Sequence, residues 1–224
     1  MPIEFFLILH EKHKLPRRMK KILLILLLCM PLMAHAKTDD NKKYLAGAVP
    51  EVNGQVVFQQ TFAVKNKSKQ EIYEVMKKFV ENMTNEDIQM ERTRITMDDP
   101  EKGCITARFE EWLEFKKKIL YWDRTRFNYI LTVECSDGKC HMDITQISYY
   151  YQEDMDGKNG VTYKAEEWIS DAEALNKNQT KLYPISSKFR IKTIDRIEDI
   201  FEKARETFEI QAREEHKATE LLSE

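Results

Sequence analysis

Glycine, proline and histidine are all scarce in this 224-residue chain, with six, six and five residues respectively. Set against 42% apolar residues, that scarcity excludes collagen-like, low-complexity and wholly disordered classes. Apolar runs long enough to cross a bilayer are lacking too. One strongly apolar run and a mean hydropathy of -0.59 exclude a protein with several membrane spans, since each needs roughly 20 apolar residues. Gly-x-Ser-x-Gly elbows, glycine-rich phosphate loops and His-Glu-x-x-His helices are absent. No catalytic, cofactor-binding or metal-binding residue is therefore assigned, and no cofactor is expected.

What is present begins with an export signal. Met19-Lys20-Lys21 supplies a basic start, Ile22 to Met33 a greasy run of twelve residues, and Ala34-His35-Ala36 a small-x-small cleavage site. The pattern predicts a signal peptide over residues 19–36, cleaved after Ala36, and an address in the periplasm or cell envelope. The run falls short of a membrane anchor, so no span is expected after cleavage. Cys29 lies within it, but Leu26-Leu27-Leu28 lacks the small residue that lipoprotein processing wants before the cysteine. Residues 1–18 fit no targeting pattern and read as a non-native extension, with translation starting at Met19.

Removing residues 1–36 takes away six basic and two acidic residues, and the remainder carries 30 basic and 36 acidic ones, a net charge of −6. Long-range electrostatics then disfavour nucleic acid and anionic membrane surfaces as partners, while a local basic patch stays permitted.

Residues 37–54 are polar, are broken by Gly47, Pro50 and Asn53-Gly54, and read as a tether. Residues 55–212 read as a single domain and 213–224 as a polar tail. Val56, Phe58, Phe62 and Val64 alternate with polar neighbours as a half-buried strand would. Ser68-Lys69-Gln70-Glu71 then matches a capping box, and Ile72, Met76, Phe79, Val80 and Met83 follow at helical spacing. A weaker strand runs about 91–97, and Ile105, Ala107, Phe109, Leu113 and Phe115 alternate along a longer one whose apolar face Glu111 interrupts.

Phe127, Tyr129, Leu131, Val133 and Cys135 have strict period two and lead into an Asp137-Gly138 turn, which sets Cys135 opposite Cys140, Val133 opposite Met142 and Leu131 opposite Ile144. Beyond Gln146 the apolar parity switches to Ile147, Tyr149 and Tyr151, which predicts one β-bulge at Thr145 or Gln146. An irregular stretch with Trp168 and Leu175 precedes a long helix after Pro184, capped by Ser186 or Ser187. Its stripe is Ile194, Ile197, Phe201, Ala204 and Phe208, with Asp199/Lys203 and Glu209/Arg213 as four-apart pairs. The order β-α-β-β-β-β-α predicts an α+β fold, an antiparallel sheet with helices packed on one face.

Five separated stretches carry a resemblance: residues 43–52 (Lys43 to Val52), Asp123-Arg124-Thr125-Arg126, the Cys135 to Cys140 turn, Ala165-Glu166-Glu167-Trp168-Ile169, and Lys188 to Asp195. Over about residues 43–202 the chain resembles an exported Bacteroidetes family, a domain of unknown function described as having a TBP-like fold, TBP being the TATA-binding protein. The resemblance implies that fold and that address, and it assigns no activity and no catalytic residue.

Cys135 and Cys140, directly opposed in the hairpin and bound for an oxidising compartment, are a candidate disulfide, with two reduced core cysteines as the alternative; Cys104 has no evident partner. With residues 1–36 gone, only His141 and His216 remain as imidazole bases, and Cys140 and His141, adjacent on a strand, point to opposite faces. The acidic stretch around Asp154-Met155-Asp156-Gly157 fails as a calcium loop, because the frame puts Gln152 and Tyr163 at the first and last ligand positions. Glu110 and Glu111 face opposite sides of their strand, and Glu111 is expected to pair with an arginine or lysine.

The remaining candidate is a surface. If the odd residues of the two long strands face the helices, the open sheet face carries Arg108, Glu110, Trp112, Arg126, Asn128, Ile130 and Tyr150. Of these, Arg108, Trp112, Arg126, Ile130 and Tyr150 form the candidate partner surface, since Trp, Tyr and Arg dominate interface hot spots. The expected function is a non-enzymatic binding module for an unknown protein or small molecule. The alternative is a ligand carrier or enzyme with a pocket between sheet and helices near Tyr129, Tyr149 and Trp168. Nucleic-acid binding is not expected, because a fold does not carry a function and the charge is negative. Expression with export in a related host should give a mature chain whose N-terminal sequence is Lys37-Thr38-Asp39, and a precursor mass that includes residues 1–18 would refute the start at Met19.

Overall fold

A computed structural model describes residues 41–119, 121–153 and 159–223, so the expected signal peptide and the acidic stretch at 154–158 lie outside the described residues. A hairpin of β1 (Glu51–Val52) and β2 (Gln55–Val56) precedes β3 (Phe58–Ala63), α1 (Lys69–Thr84), β4 (Arg94–Asp99), β5 (Cys104–Lys118), β6 (Tyr121–Ser136), β7 (Lys139–Tyr151) and β8 (Val161–Lys164). Two single-turn helices, α2 (Ala165–Trp168) and α3 (Asp171–Ala174), lead to the long α4 (Pro184–Ser223). The antiparallel sheet runs β3-β7-β6-β5-β4, and β8 adds to β7. The architecture is the expected α+β one, with β8, α2 and α3 resolving the irregular stretch.

Period-two patterning fixes the sheet's faces. Ile105, Ala107, Phe109, Phe127, Leu131, Val133, Met142 and Ile144 are all buried toward the helices. The Asp137-Gly138 turn holds the predicted register, with Cys135 opposite Cys140, Val133 opposite Met142 and Leu131 opposite Ile144. Pairing then jumps from Ile130↔Thr145 to Asn128↔Ser148, and Gln146 sits at φ 53°, which is the predicted bulge. Past it the odd residues Ile147 and Tyr149 are the buried ones. Glycine is required once here, at Gly103, whose φ is +71° and where an added Cβ would lie 2.7 Å from the Cys135 carbonyl oxygen.

Helix α1 starts as its sequence dictates. The Ser68 hydroxyl accepts from the Glu71 amide while the Glu71 carboxylate accepts from the Ser68 amide, and Ile72, Tyr73, Met76, Phe79, Val80 and Met83 turn inward. Burying each large apolar side chain stabilises the domain by roughly 1.5–3 kcal/mol, so this face outweighs any surface pair on the helix. Helix α4 begins one turn earlier than expected. Pro184 occupies its first position, where a missing N–H costs nothing, so neither Ser186 nor Ser187 is the cap. Ser186 is buried, and the Ser187 hydroxyl donates to the Pro184 carbonyl. Residues 213–223, expected as a tail, continue the helix. Asp199 pairs with Lys203 at 3.1 Å, but Glu209 is taken by Arg205 at 2.7 Å instead of by Arg213.

The expected tether is corrected over residues 41–54, which are folded against the domain. The reason is Arg190, a fully buried arginine on α4. Its Nε donates to the Tyr44 carbonyl and its Nη2 to the Leu45 carbonyl, both at 2.7 Å. Nη1 donates to the Ile169 carbonyl at 2.6 Å, and Nη2 also meets Asp171 at 2.6 Å. A buried guanidinium needs these acceptors, and the polar segment supplies two as backbone. Val49 is buried behind them, and Asp195 receives both Lys43 and the Tyr44 hydroxyl.

Arg190→Ala strands four acceptors around a void and should lower unfolding stability by about 3–5 kcal/mol in a denaturant titration, with residues 41–49 becoming the first site of limited proteolysis. Glu71 gives a pH test. Hydrogen bonds from the Ser68 backbone and side chain, then Lys67, depress its pKa from 4.5 to about 2. A depressed carboxylate stabilises fully above its unfolded pKa and loses that contribution as pH falls through the folded value. The stability margin of wild type over Glu71→Gln should therefore be constant above pH 5 and shrink toward pH 2.

Candidate functional site

The open sheet face carries the residues the strand parity places there. Arg108, Trp112, Arg126, Asn128, Ile130 and Tyr150 are each half-buried, so neither aromatic is removed from solvent by the rest of the chain. All of these but Trp112 border a cleft of about 600 Å³, completed by Arg92, Glu110, Tyr129, Gln146, Ser148 and Thr162. Gln146 enters because the bulge re-aims it, as bulges beside sites commonly do. Thr162 enters because β8 pairs Thr162 with Tyr150. Gly160 lies against the Tyr150 ring, its amide donating to the phenol oxygen at 3.0 Å.

Charge in the cleft is unevenly satisfied. The Glu110 side chain is only 5% exposed, yet its ion pairs are long, 3.5 Å to Arg126 Nη1 and 4.0 Å to Arg92 Nε. Arg126 is taken chiefly by Glu153, at 2.6 Å from both Nε and Nη2, which with Glu110 raises its pKa further and keeps it charged. The side chain of Arg108, a residue opposite Ile130 on β6 and Arg94 on β4, has neither ion pair nor hydrogen bond among the described residues.

Trp112 leads away from the cleft into a ladder of alternating rings and cations. Arg124 stacks between Trp112 (3.5 Å to the ring centroid) and Trp122 (3.9 Å), and Lys117 covers Trp122 at 4.4 Å. Arg126 stands 5.8 Å from Trp112 and 5.7 Å from Tyr150 and joins the ladder to the cleft. Arg124 and Trp122 escaped the sequence reading, as did Arg92, Gln146, Ser148 and Thr162. The one usable signal was the even-number parity shared by Arg124 and Trp122 with Arg126 on β6.

Cys135 and Cys140 are opposed as expected but not bonded, which corrects the candidate disulfide: Cys104, Cys135 and Cys140 are all free thiols. The contact with Cys135 and burial push the Cys140 thiol up, away from the thiolate a nucleophile needs. Tyr129, Tyr149 and Trp168, the lining proposed for a pocket between sheet and helices, fill that layer instead. Tyr129 stacks on Phe109 at 5.0 Å, Tyr149 exchanges a hydrogen bond with Thr193 at 2.7 Å, and Trp168 stacks on Tyr163 at 4.2 Å.

Among the described residues there is one hydroxyl–imidazole–carboxylate chain. Thr61 Oγ1 meets His141 Nδ1 at 2.8 Å, and His141 Nε2 meets Asp143 at 3.0 Å. These are cross-strand neighbours on β3 and β7, and the backbone N–H groups beside Thr61 lie in the sheet plane, away from a carbonyl resting above it. Among the described residues no cluster of His, Cys, Asp or Glu has the arrangement to hold a metal ion, and no helix is long and apolar enough to cross a membrane.

Among curated proteins, none matches the chain. A family model described as a domain of unknown function (DUF4468) with TBP-like fold matches residues 58–150. The chain is 39% identical to a DUF4468 family protein from Bacteroides ovatus ATCC 8483 whose crystal structure it matches with a TM-score of 0.70, over 75% of this chain and 95% of that one. It is also similar in fold to a TBP-like protein from Parabacteroides distasonis ATCC 8503, at 22% identity and a TM-score of 0.59, over 72% of this chain and 97% of that one. With identity at that level across nearly the whole of a relative, and with the sheet, helices and open face built as described, the chain belongs to the DUF4468 family of TBP-like fold.

Proposed function

We propose that this is an exported, non-enzymatic binding module that holds a small anionic ligand in the cleft of its open sheet face. The observation that carries this is Arg108, a half-buried guanidinium in a cleft of about 600 Å³ with no acidic partner among the described residues. A planar guanidinium with five donors is built for bidentate pairing with a carboxylate or phosphate, and its partial desolvation strengthens that pairing. Asn128, Ser148 and Thr162 add neutral polar groups, and Ile130 and Tyr150 an apolar wall, the mixture typical of small-ligand sites. The signal peptide supports a periplasmic or envelope address.

Citrate serves as the probe. Titrated into residues 37–224 at low salt, it should bind saturably and shift the side-chain Nε resonance of Arg108 in an NMR spectrum. Arg108→Gln should weaken binding about tenfold or more, the value of one charge-assisted bidentate contact. Binding unaffected by Arg108→Gln would refute the cleft. A hydrolase reading draws on the Thr61–His141–Asp143 chain alone, and equal p-nitrophenyl acetate turnover by wild type and Thr61→Val would dismiss it.

A further inference from the structure

Beyond the last pairings with the rest of the sheet, β5 and β6 continue as a two-stranded ribbon. β4 reaches only as far as Arg108, and β7 stops pairing with β6 at Thr125↔Tyr151, so Lys116↔Asp123 and Lys117↔Trp122 pair with nothing outside the ribbon. Ile119 at its end is 102% exposed, and Trp122 is 43% exposed. Lys116, Lys117 and Lys118 are all exposed, and because strand neighbours alternate they flank this apolar end on both faces. We propose that the end of the β5–β6 ribbon is a docking tip for an anionic phospholipid bilayer, inserting Ile119 and Trp122 at headgroup depth while the three lysines meet lipid phosphates.

The ribbon is held ready for this. An isolated two-stranded hairpin is marginal in water, but here the base is anchored and the shaft is stacked. Phe115 packs against Phe189 at 4.6 Å, and Asp123 receives Lys188 and the Tyr151 hydroxyl, each at 2.8 Å. Lys117, Trp122, Arg124 and Trp112 stack above that base. A stacked shaft lowers the ordering cost that a loose loop would meet on binding.

The sign of charge reverses locally. The chain from Lys37 carries −6, yet Asp123 is neutralised by Lys188, and the lysines dominate the tip. At physiological salt the screening length is about 8 Å, so acids on the distant body act weakly there. This is the local basic patch that the overall charge left open. An acidic protein surface would satisfy the lysines but gain nothing from a bare isoleucine at the apex, and two copies meeting tip to tip would oppose like charges. A bilayer interface accepts apolar apex, tryptophan and lysine together.

Residues 37–224, which omit the apolar run at 22–33, should co-sediment with vesicles of phosphatidylcholine containing about one phosphatidylglycerol in three, and not with phosphatidylcholine alone. Each basic residue at such a surface contributes roughly fivefold, so replacing Lys116, Lys117 and Lys118 together by Ser should weaken binding on the order of a hundredfold. Ile119→Ser should abolish it with the unfolding midpoint unchanged, since that side chain is fully exposed. Tryptophan emission should shift to the blue on binding, and Trp122→Phe should lose the shift. Arg108→Gln should bind vesicles like wild type. Binding lost in Arg108→Gln but kept in the tip variants would assign the lipid to the cleft and overturn the tip. So would equal binding to uncharged vesicles, or self-association that Ile119→Ser abolishes without vesicles.

Discussion

One buried carboxylate ties the middle of the sheet both to α4 and to the segment that precedes β4. Glu111 is 1% exposed on the sheet face that packs against the helices. It accepts from Arg196 Nε at 2.7 Å and Nη2 at 3.0 Å, from Gln89 at 2.6 Å and from the Tyr129 hydroxyl at 3.3 Å. Burial, and then the Glu111 charge, hold the Tyr129 phenol well above its ordinary pKa, so it remains a donor. Arg196 also grips Glu86 and Asp199. A buried ion pair adds little net stability compared with well-packed apolar side chains, whereas losing one partner is costly. Its effect here is positional. Together with the Arg190 bonds to Tyr44, Leu45 and Ile169 and the Tyr149–Thr193 bond, the Arg196–Glu111 pair fixes where α4 lies along the sheet.

Much of this was legible along the chain, because it rests on local rules. Glu111 stood out as a break in an alternating strand, the capping box at Ser68 announced α1, and the parity switch after Gln146 located the bulge. What escaped depends on residues far apart in sequence. Nothing in the composition of residues 41–54 shows that a buried arginine over a hundred positions later needs their carbonyls. The cleft was read in half for the same reason. Arg108, Arg126, Ile130 and Tyr150 lie on long strands whose parity is plain, whereas Arg92 precedes β4 and Thr162 comes from β8, a four-residue strand placed by its pairing with β7. The unbonded Cys135 and Cys140 show the limit of register arguments, which give adjacency and not bonding.

Three arginines on the same face show how surroundings set availability. Arg126 is consumed by Glu153 and Glu110, Arg124 spends its ring-like face on Trp112 and Trp122, and Arg108 keeps both face and edge. A count of positive charge would treat them alike. Exposed pairs such as Arg205 with Glu202 and Glu209 on α4 are screened by solvent and leave the helix's place unaffected.

The extra residue at Gln146 makes β7 one strand by hydrogen bonding and two by phase. Its first half sends even-numbered side chains inward to meet α1 and α4, and its second half sends odd-numbered ones, so Tyr149 reaches Thr193 while Ser148 and Tyr150 face outward. Without that offset, the outward wall of the cleft would be built from Ile147, Tyr149 and Tyr151, and the serine and Tyr150 would be driven into the core. A single insertion thus acts as a half-period phase shift in an otherwise continuous wave, and the boundary between dry and wet surfaces on this sheet is written in the parity of a residue count.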